Sequence, residues 1–461
     1  GEAIMIKVKN TRFSQKYHVM PPKGWMNDPN GLCFFNGYYH VFFQYHPHSA
    51  DWGPMHWGHV RSLDLVHWEN CPIALVPGNK EDKDGCFSGS AVIKDDKLYL
   101  IYTGHHYVPG SGKKSFWQTQ NIAVSTDGLH FEKYENNPII TTPPADNSED
   151  FRDPKVWYEK GLWQLILGSQ GSEHQGRVLL YRSPDQFNWK YVGVLAQADL
   201  KNNEGFMWEC PDLFQLGHQQ ILLVSPQGIK ATSEKFKNLY QTGYFIINSE
   251  NKSNFYELDS GHDFYATQTQ LLEDGRRIMF AWMDMWESKM QEQLDGWAGT
   301  LTVPRELSVK NGKLYSYPIS ELKSLRQKLL FSQQSDGMEI NFSSASHALE
   351  INAVIEWPKS ATNIIFSLKD KCEQDIIKLL FDFQSRIAYL QRVGSDGKRQ
   401  CSFSQNHELK LKIYVDSSSL EIFINAGECS FSERFYVEDQ LNFQFKANRQ
   451  IKQHIDVYQL D

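Results

Sequence analysis

Five segments of the sequence share one plan: a polar or acidic lead-in, an apolar strand, a tight turn and a second apolar strand. They read WMNDPNGLCFFNGYYHVFFQYHP, CFSGSAVIKDDKLYLIYTGH, FRDPKVWYEKGLWQLILGSQ, MWECPDLFQLGHQQILLVSP and FYATQTQLLEDGRRIMFAWMD, with turns centred on Gly37, Asp96, Gly161, Gly217 and Gly275. Successive turns are 59, 65, 56 and 58 residues apart, room for one four-stranded sheet and its loops. Radial repetition of such sheets is how β-propellers are built. Residues 1–325 are therefore expected to form a five-bladed β-propeller in an all-β chain. Alternation supports strands, with Tyr39, Val41 and Phe43 set against His40, Phe42 and Gln44. A short helical or bridging pattern follows from Ile319, residues 326–335 read as a linker, and β-like runs such as LEINAVI at 349–355 and LKLKIYV at 409–415 make 336–461 a separate β-sandwich.

The repeat register has a chemical consequence. Asp28, Asp153 and Glu209 each lie eight or nine residues before the turn of their segment, with Ser88 and Thr267 in the corresponding places of the second and fifth. Equivalent positions on innermost propeller strands converge on the central channel, so three carboxylates are expected at one mouth. Repulsion and partial burial then leave a mixture of protonated and ionised acids, which glycoside hydrolysis requires. Glu209, between Trp208 and Cys210, sits in an apolar setting suited to an acid/base, whereas Asp28 in the polar turn Asn27-Asp28-Pro29-Asn30-Gly31 suits a nucleophile. Arg152 is expected to keep its neighbour Asp153 ionised, to hold sugar hydroxyls and stabilise an oxocarbenium-like transition state.

Composition narrows the partners. Acidic residues outnumber basic ones 55 to 47, net −8, which offers no cationic face to nucleic acid, and no apolar run is long enough for a membrane-spanning helix. With 13 Trp, 21 Tyr and 28 Phe the chain is rich in rings that stack on sugars, so a small-molecule sugar is the expected partner, with homo-oligomerisation left open. Seven cysteines form no C-x-x-C pair, which argues against a disulfide scaffold or a zinc site and favours a reducing, cytoplasmic compartment over secretion despite sequons at Asn251 and Asn341. Clusters such as His46-Pro47-His48, His56 with His59, and His105-His106 lack three convergent ligands, so neither metal nor cofactor is expected. The loop Pro109-Gly110-Ser111-Gly112-Lys113-Lys114 departs from the P-loop pattern, though its lysines could meet a phosphate on the leaving glucose.

Taken together these residues resemble glycoside hydrolase family 32, the invertase and fructan hydrolase family. Its three motifs stand here as WMNDPNG at 25–31, FRDP at 151–154 and WECPD at 208–212. FFQYHP at 42–47, WGPMHWGH at 52–59, DKDGCFSGSAV at 82–92, SPQG at 225–228, GHDFYA at 261–266, AWMDMWES at 281–288, GWAGTLTVPRELS at 296–308 and VDSSSLEIFINAGE at 415–428 are similar to bacterial-type sucrose hydrolases. Thr300 departs from them, where Cys is frequent. The resemblance implies retention through a covalent fructosyl-enzyme, with Asp28 as nucleophile, Asp153 as transition-state stabiliser and Glu209 as acid/base. It also implies a fructose subsite lined by Asn27, Gln44, Trp52, Phe87, Ser88, Arg152 and Trp282. The expected activity is hydrolysis of sucrose by a β-fructofuranosidase. Sucrose-6-phosphate hydrolysis, fructan hydrolysis, fructosyl transfer and a non-catalytic sugar-binding role are the alternatives.

Overall fold

A computed structural model of the chain describes residues 6–359, 361–394 and 397–461. Up to residue 318 it forms five sheets. Their first strands are Gly24–Phe35, Gly85–Lys94, Asn147–Glu159, Met207–Leu216 and Tyr265–Leu271, and each sheet steps outward through antiparallel neighbours. The five first strands touch one another in order and the fifth touches the first, so they enclose a central channel. Trp297–Ala298, reached from the fifth sheet, pairs in parallel with Gly24 and Trp25 and straps the ring shut. This half of the chain is a β-propeller.

Each sheet is apolar on both faces because it has a neighbour on each side. In the strand Lys97–Tyr107, Leu98, Leu100 and Tyr102 pack with Phe42 and Trp57 of the first sheet. Ile101 turns the other way, towards Val156 and Leu165 of the third. Period-two alternation thus separates two cores rather than core from solvent.

The second half is a β-sandwich of two six-stranded sheets over one apolar core, supplied by alternate residues such as Leu349, Ile351, Ala353 and Ile355. Residues 326–335, read as a linker, include the strand Lys328–Ser335, which pairs with the last strand, Gln453–Gln459. It is an edge strand, and an edge strand needs one partner and little apolar pattern, which is why KLLFSQQS does not read as sheet. Only the 3-10 turn Ser320–Leu325 intervenes between it and the propeller. The cysteine expectation is corrected too: Cys401 and Cys429 form a disulfide across the two sheets, while Cys33, Cys71, Cys86, Cys210 and Cys372 are free. Partners 28 residues apart in sequence carry no local pattern, and with one pair bridged the cysteines no longer speak for a reducing compartment.

The two halves are joined by apolar packing, Phe280, Val303 and Leu325 against Ala348, Tyr414 and Phe423, and by buried charge. Arg305 bonds Asp259 at 3.1 Å and Glu421 at 2.8 Å, and the His18 imidazole lies between Asp416 at 2.7 Å and Glu421 at 2.5 Å. Burial alone would lower the imidazole, but the two carboxylates lift it to about 9. A folded-state value above the unfolded one of about 6.5 means that the contribution of His18 is fully present below pH ~6.5 and is lost as pH rises through 9. His18→Gln is therefore expected to lower stability by about 3–5 kcal/mol at pH ~6, because it strands buried carboxylates. That deficit should shrink towards pH ~9 in paired thermal melts, and a pH-independent deficit would overturn the charge assignment.

Candidate active site

The central channel holds a recurring backbone device. Each first strand bulges at the same level: Asn27 and Asp28, Ser88, Asp153 and Pro154, Cys210 and Pro211, and Ala266 and Thr267 all lie outside the pairing register. A bulge re-aims side chains and releases backbone N–H groups from the ladder, which is why Pro is tolerated within it. Asp153, Cys210 and Ala266 take the left-handed region, with φ of 69°, 49° and 60°. The first three strands direct consecutive side chains, Asn27 and Asp28, Phe87 and Ser88, and Arg152 and Asp153, into one cavity of about 340 Å3, and the fourth adds Glu209.

The bulges also correct the sequence register by one residue. Arg152 pairs with Gly168 and Glu209 with Ser225, each just before its bulge, so Glu209 is the counterpart of Arg152 and Cys210 that of Asp153. The third and fourth sheets carry the tripeptides Arg-Asp-Pro and Glu-Cys-Pro in the same frame. Counting back from the turns hid this because Gly161 and Gly217 sit at different points of their hairpins.

Ligand-capable atoms of Asp28, Asp153 and Cys210 lie within 4.8 Å of one another. The Cys210 thiol is 3.4 Å from Asp28 Oδ2 and 3.5 Å from Asp153 Oδ2, and its backbone N–H donates to Asp153 at 3.0 Å. Asp28 further accepts from Asn27 Nδ2 and Ser88 Oγ, each at 3.1 Å. Glu209 is held from three sides: Arg152 Nε donates to Oε2 at 2.9 Å, and Gln227 Nε2 and the Tyr265 hydroxyl donate to Oε1 at 3.0 Å and 2.5 Å.

Electrostatics differ from the sequence expectation. Arg152 spends its guanidinium on Glu209 and Asp150, not on Asp153. Burial, then the charge of Glu209, pushes Asp153 up to about 7 and Asp28 up to about 6, while burial raises the Cys210 thiol well above its ordinary range.

Of the residues expected in the sugar subsite, Asn27, Gln44, Trp52, Phe87, Ser88 and Arg152 line this cavity with the three acids. Trp282 does not. It is fully buried against Trp25 and Trp286, and Trp286 takes the cavity wall instead. Sequence reasoning missed Trp286, Tyr265 and Gln227. AWMDMWES holds two tryptophans, and only the path of the chain after Trp282 decides which one reaches the cavity. His105, weighed in the sequence as a metal ligand and set aside, lines the cavity, stacks on Phe87 at 4.2 Å and is kept neutral, pushed down to about 3 by burial and Arg152. Of the paired lysines Lys113 and Lys114, Lys113 alone lines the cavity, beside Tyr107. The Thr267 hydroxyl is buried without a hydrogen-bond partner.

Comparison with known proteins covers the whole arrangement. The model of the glycosyl hydrolases family 32 N-terminal domain matches residues 18–318, and that of the family 32 C terminal matches 321–459. A sucrose-6-phosphate hydrolase of Escherichia coli is 42% identical over 98% of this chain and 96% of its own length. A raffinose invertase of Escherichia coli is 41% identical over 91% and 89%. Among solved structures, a β-fructofuranosidase of Bombyx mori superposes with a TM-score of 0.88 at 37% identity, over 98% of this chain and 94% of that one, and a variant of it is solved with sucrose. The chain belongs to glycoside hydrolase family 32 and is a glycoside hydrolase acting on fructosides.

Proposed function

We propose that this chain is a retaining β-fructofuranosidase that hydrolyses sucrose through a covalent fructosyl-enzyme, each of its five N-terminal sheets forming one propeller blade. The observation that carries the reading is the convergence of Asp28, Asp153 and Glu209 in one cavity, each in its own hydrogen-bonded setting. Asp28 attacks the fructosyl anomeric carbon while Glu209 protonates the departing glucosyl oxygen; Glu209 then takes a proton from water, which releases fructose. Asp153 holds fructosyl hydroxyls close to the reacting carbon.

The raised carboxyl of Asp28 fits this role. In the empty cavity burial favours its neutral form, but a fructosyl carbon gaining positive charge in the transition state favours the carboxylate. Activity should fall as pH drops through about 6, where Asp28 takes up its proton. The direct test is product stoichiometry: equimolar glucose and fructose from sucrose supports hydrolysis. Glucose in excess of fructose points to transfer, and no product on sucrose or its phosphate overturns the reading.

Lys113 supports a second reading, sucrose 6-phosphate as substrate, because it puts an ammonium at the cavity wall. A charge-assisted hydrogen bond to phosphate contributes about 1.5–3 kcal/mol, so Lys113→Ala is expected to lower kcat/KM on sucrose 6-phosphate by roughly 10- to 100-fold relative to sucrose. An unchanged ratio removes this reading and leaves sucrose.

A further inference from the structure

A second cavity, of about 490 Å3, shares no lining residue with the catalytic one. It lies in the seam where the fourth and fifth propeller sheets meet the sandwich, and three of its walls are pinned. The buried Tyr244 hydroxyl accepts from Leu314 N–H at 3.1 Å, which fixes the turn between Lys310 and Lys313. Glu257 accepts from the backbone N–H of Phe236, which fixes the loop beside it. The Cys401–Cys429 disulfide ties together the two sandwich strands of the far wall. A pocket with walls held in this way exists before any ligand arrives, and its size is that of small-molecule sites.

Its chemistry is that of a neutral, hydroxyl-rich ligand. Tyr256 is 43% exposed, and its ring is backed by Tyr244 at 5.5 Å, so one aromatic face is available for stacking. Four basic side chains are opposed by three carboxylates, which leaves little net field to hold an anion or a cation while supplying donors and acceptors at close range. Burial pushes Glu257 up to about 7, so its carboxyl sits in a poorly hydrated wall where a hydrogen bond to a ligand replaces few bonds to water, while Lys313 across the cavity is exposed and offers a donor. We propose that this cavity is a second saccharide site, taking a neutral mono- or disaccharide with Tyr256 as stacking platform and Glu257 and Lys313 as hydroxyl partners. A ligand here touches propeller and sandwich at once and so favours their docked arrangement.

Titration calorimetry of the full chain carrying Asp28→Asn, with sucrose, glucose and fructose as separate ligands, tests this. The expected result is two classes of site for at least one of the three sugars, and the arms tell substrate from product. Adding Tyr256→Ala should weaken one class by about tenfold, the loss of a ring contact. Tyr256→Ala in the otherwise unaltered chain should leave kcat/KM on sucrose within about twofold, since Tyr256 lies outside the catalytic cavity. A single class for all three sugars, or isotherms that both Tyr256→Ala and Glu257→Gln leave unchanged, overturns the second site. Glucose release by the Asp28→Asn chain during titration would instead count against the catalytic assignment, and is read independently of the effect of Tyr256→Ala.

Discussion

Asp28→Asn is expected to abolish sucrose turnover, by on the order of 10⁴-fold or more in kcat, without loss of stability. The amide keeps the shape of the side chain and its contacts with Asn27 and Ser88, but it has no electron pair suited to forming the ester to the fructosyl carbon. Stability should hold or rise, because the wild-type carboxyl is raised to about 6 by burial and by Glu209, and an uncharged side chain does not meet that penalty. The measurement pairs initial rates of glucose release with thermal melts. Residual activity above about 1% of wild type in a folded variant would show that the covalent step runs through another group.

Glu209→Gln carries the second large effect, and its value lies in a contrast between substrates. On sucrose, whose glucosyl oxygen leaves only with a proton, kcat/KM should fall by about 10²–10⁴-fold. On a fructoside with an activated leaving group the same ratio, which reports the first chemical step, should fall far less. Equal losses on both would remove the acid role. The variant also alters pH dependence in a defined direction. The charge of Glu209 is the second cause, after burial, of the raised Asp28 carboxyl. Its removal lowers Asp28 towards its ordinary value, so the acid limb measured with the activated fructoside should move to lower pH. A limb that stays near 6 would mean that burial alone sets it.

The double role of Arg152 shows why local sequence misjudges electrostatics. Beside Asp153 in the chain, it reads as that residue's counter-ion. The guanidinium instead donates to Glu209 on the neighbouring sheet. Burial and the charge of Glu209 raise Asp153 by more than the nearby charge of Arg152 lowers it. Adjacency in sequence is a weak guide to ion pairing in an extended strand, where neighbouring side chains point apart. The one-residue slip between Glu209 and Cys210 has a different origin: Gly161 is the second residue of its turn and Gly217 the first, so counting back from the glycines is out by one although the two strands bulge alike.

The sequence by itself determined the repeat, and with it a ring of sheets whose first strands had to meet; it also determined which three acids those strands carry. Period, turn chemistry and apolar alternation are local properties, set within a few residues, and they survive in a one-dimensional reading. Tertiary structure alone decided the rest. It chose Trp286 over Trp282 for the cavity wall, set Cys210 between Asp28 and Asp153, bonded Tyr265 and Gln227 to Glu209, and joined Cys401 to Cys429. It also turned residues 328–335 into an edge strand of the sandwich. Each of these depends on where segments tens to hundreds of residues apart come to rest, and burial, the largest influence on Asp28 and Asp153, has no value until they do.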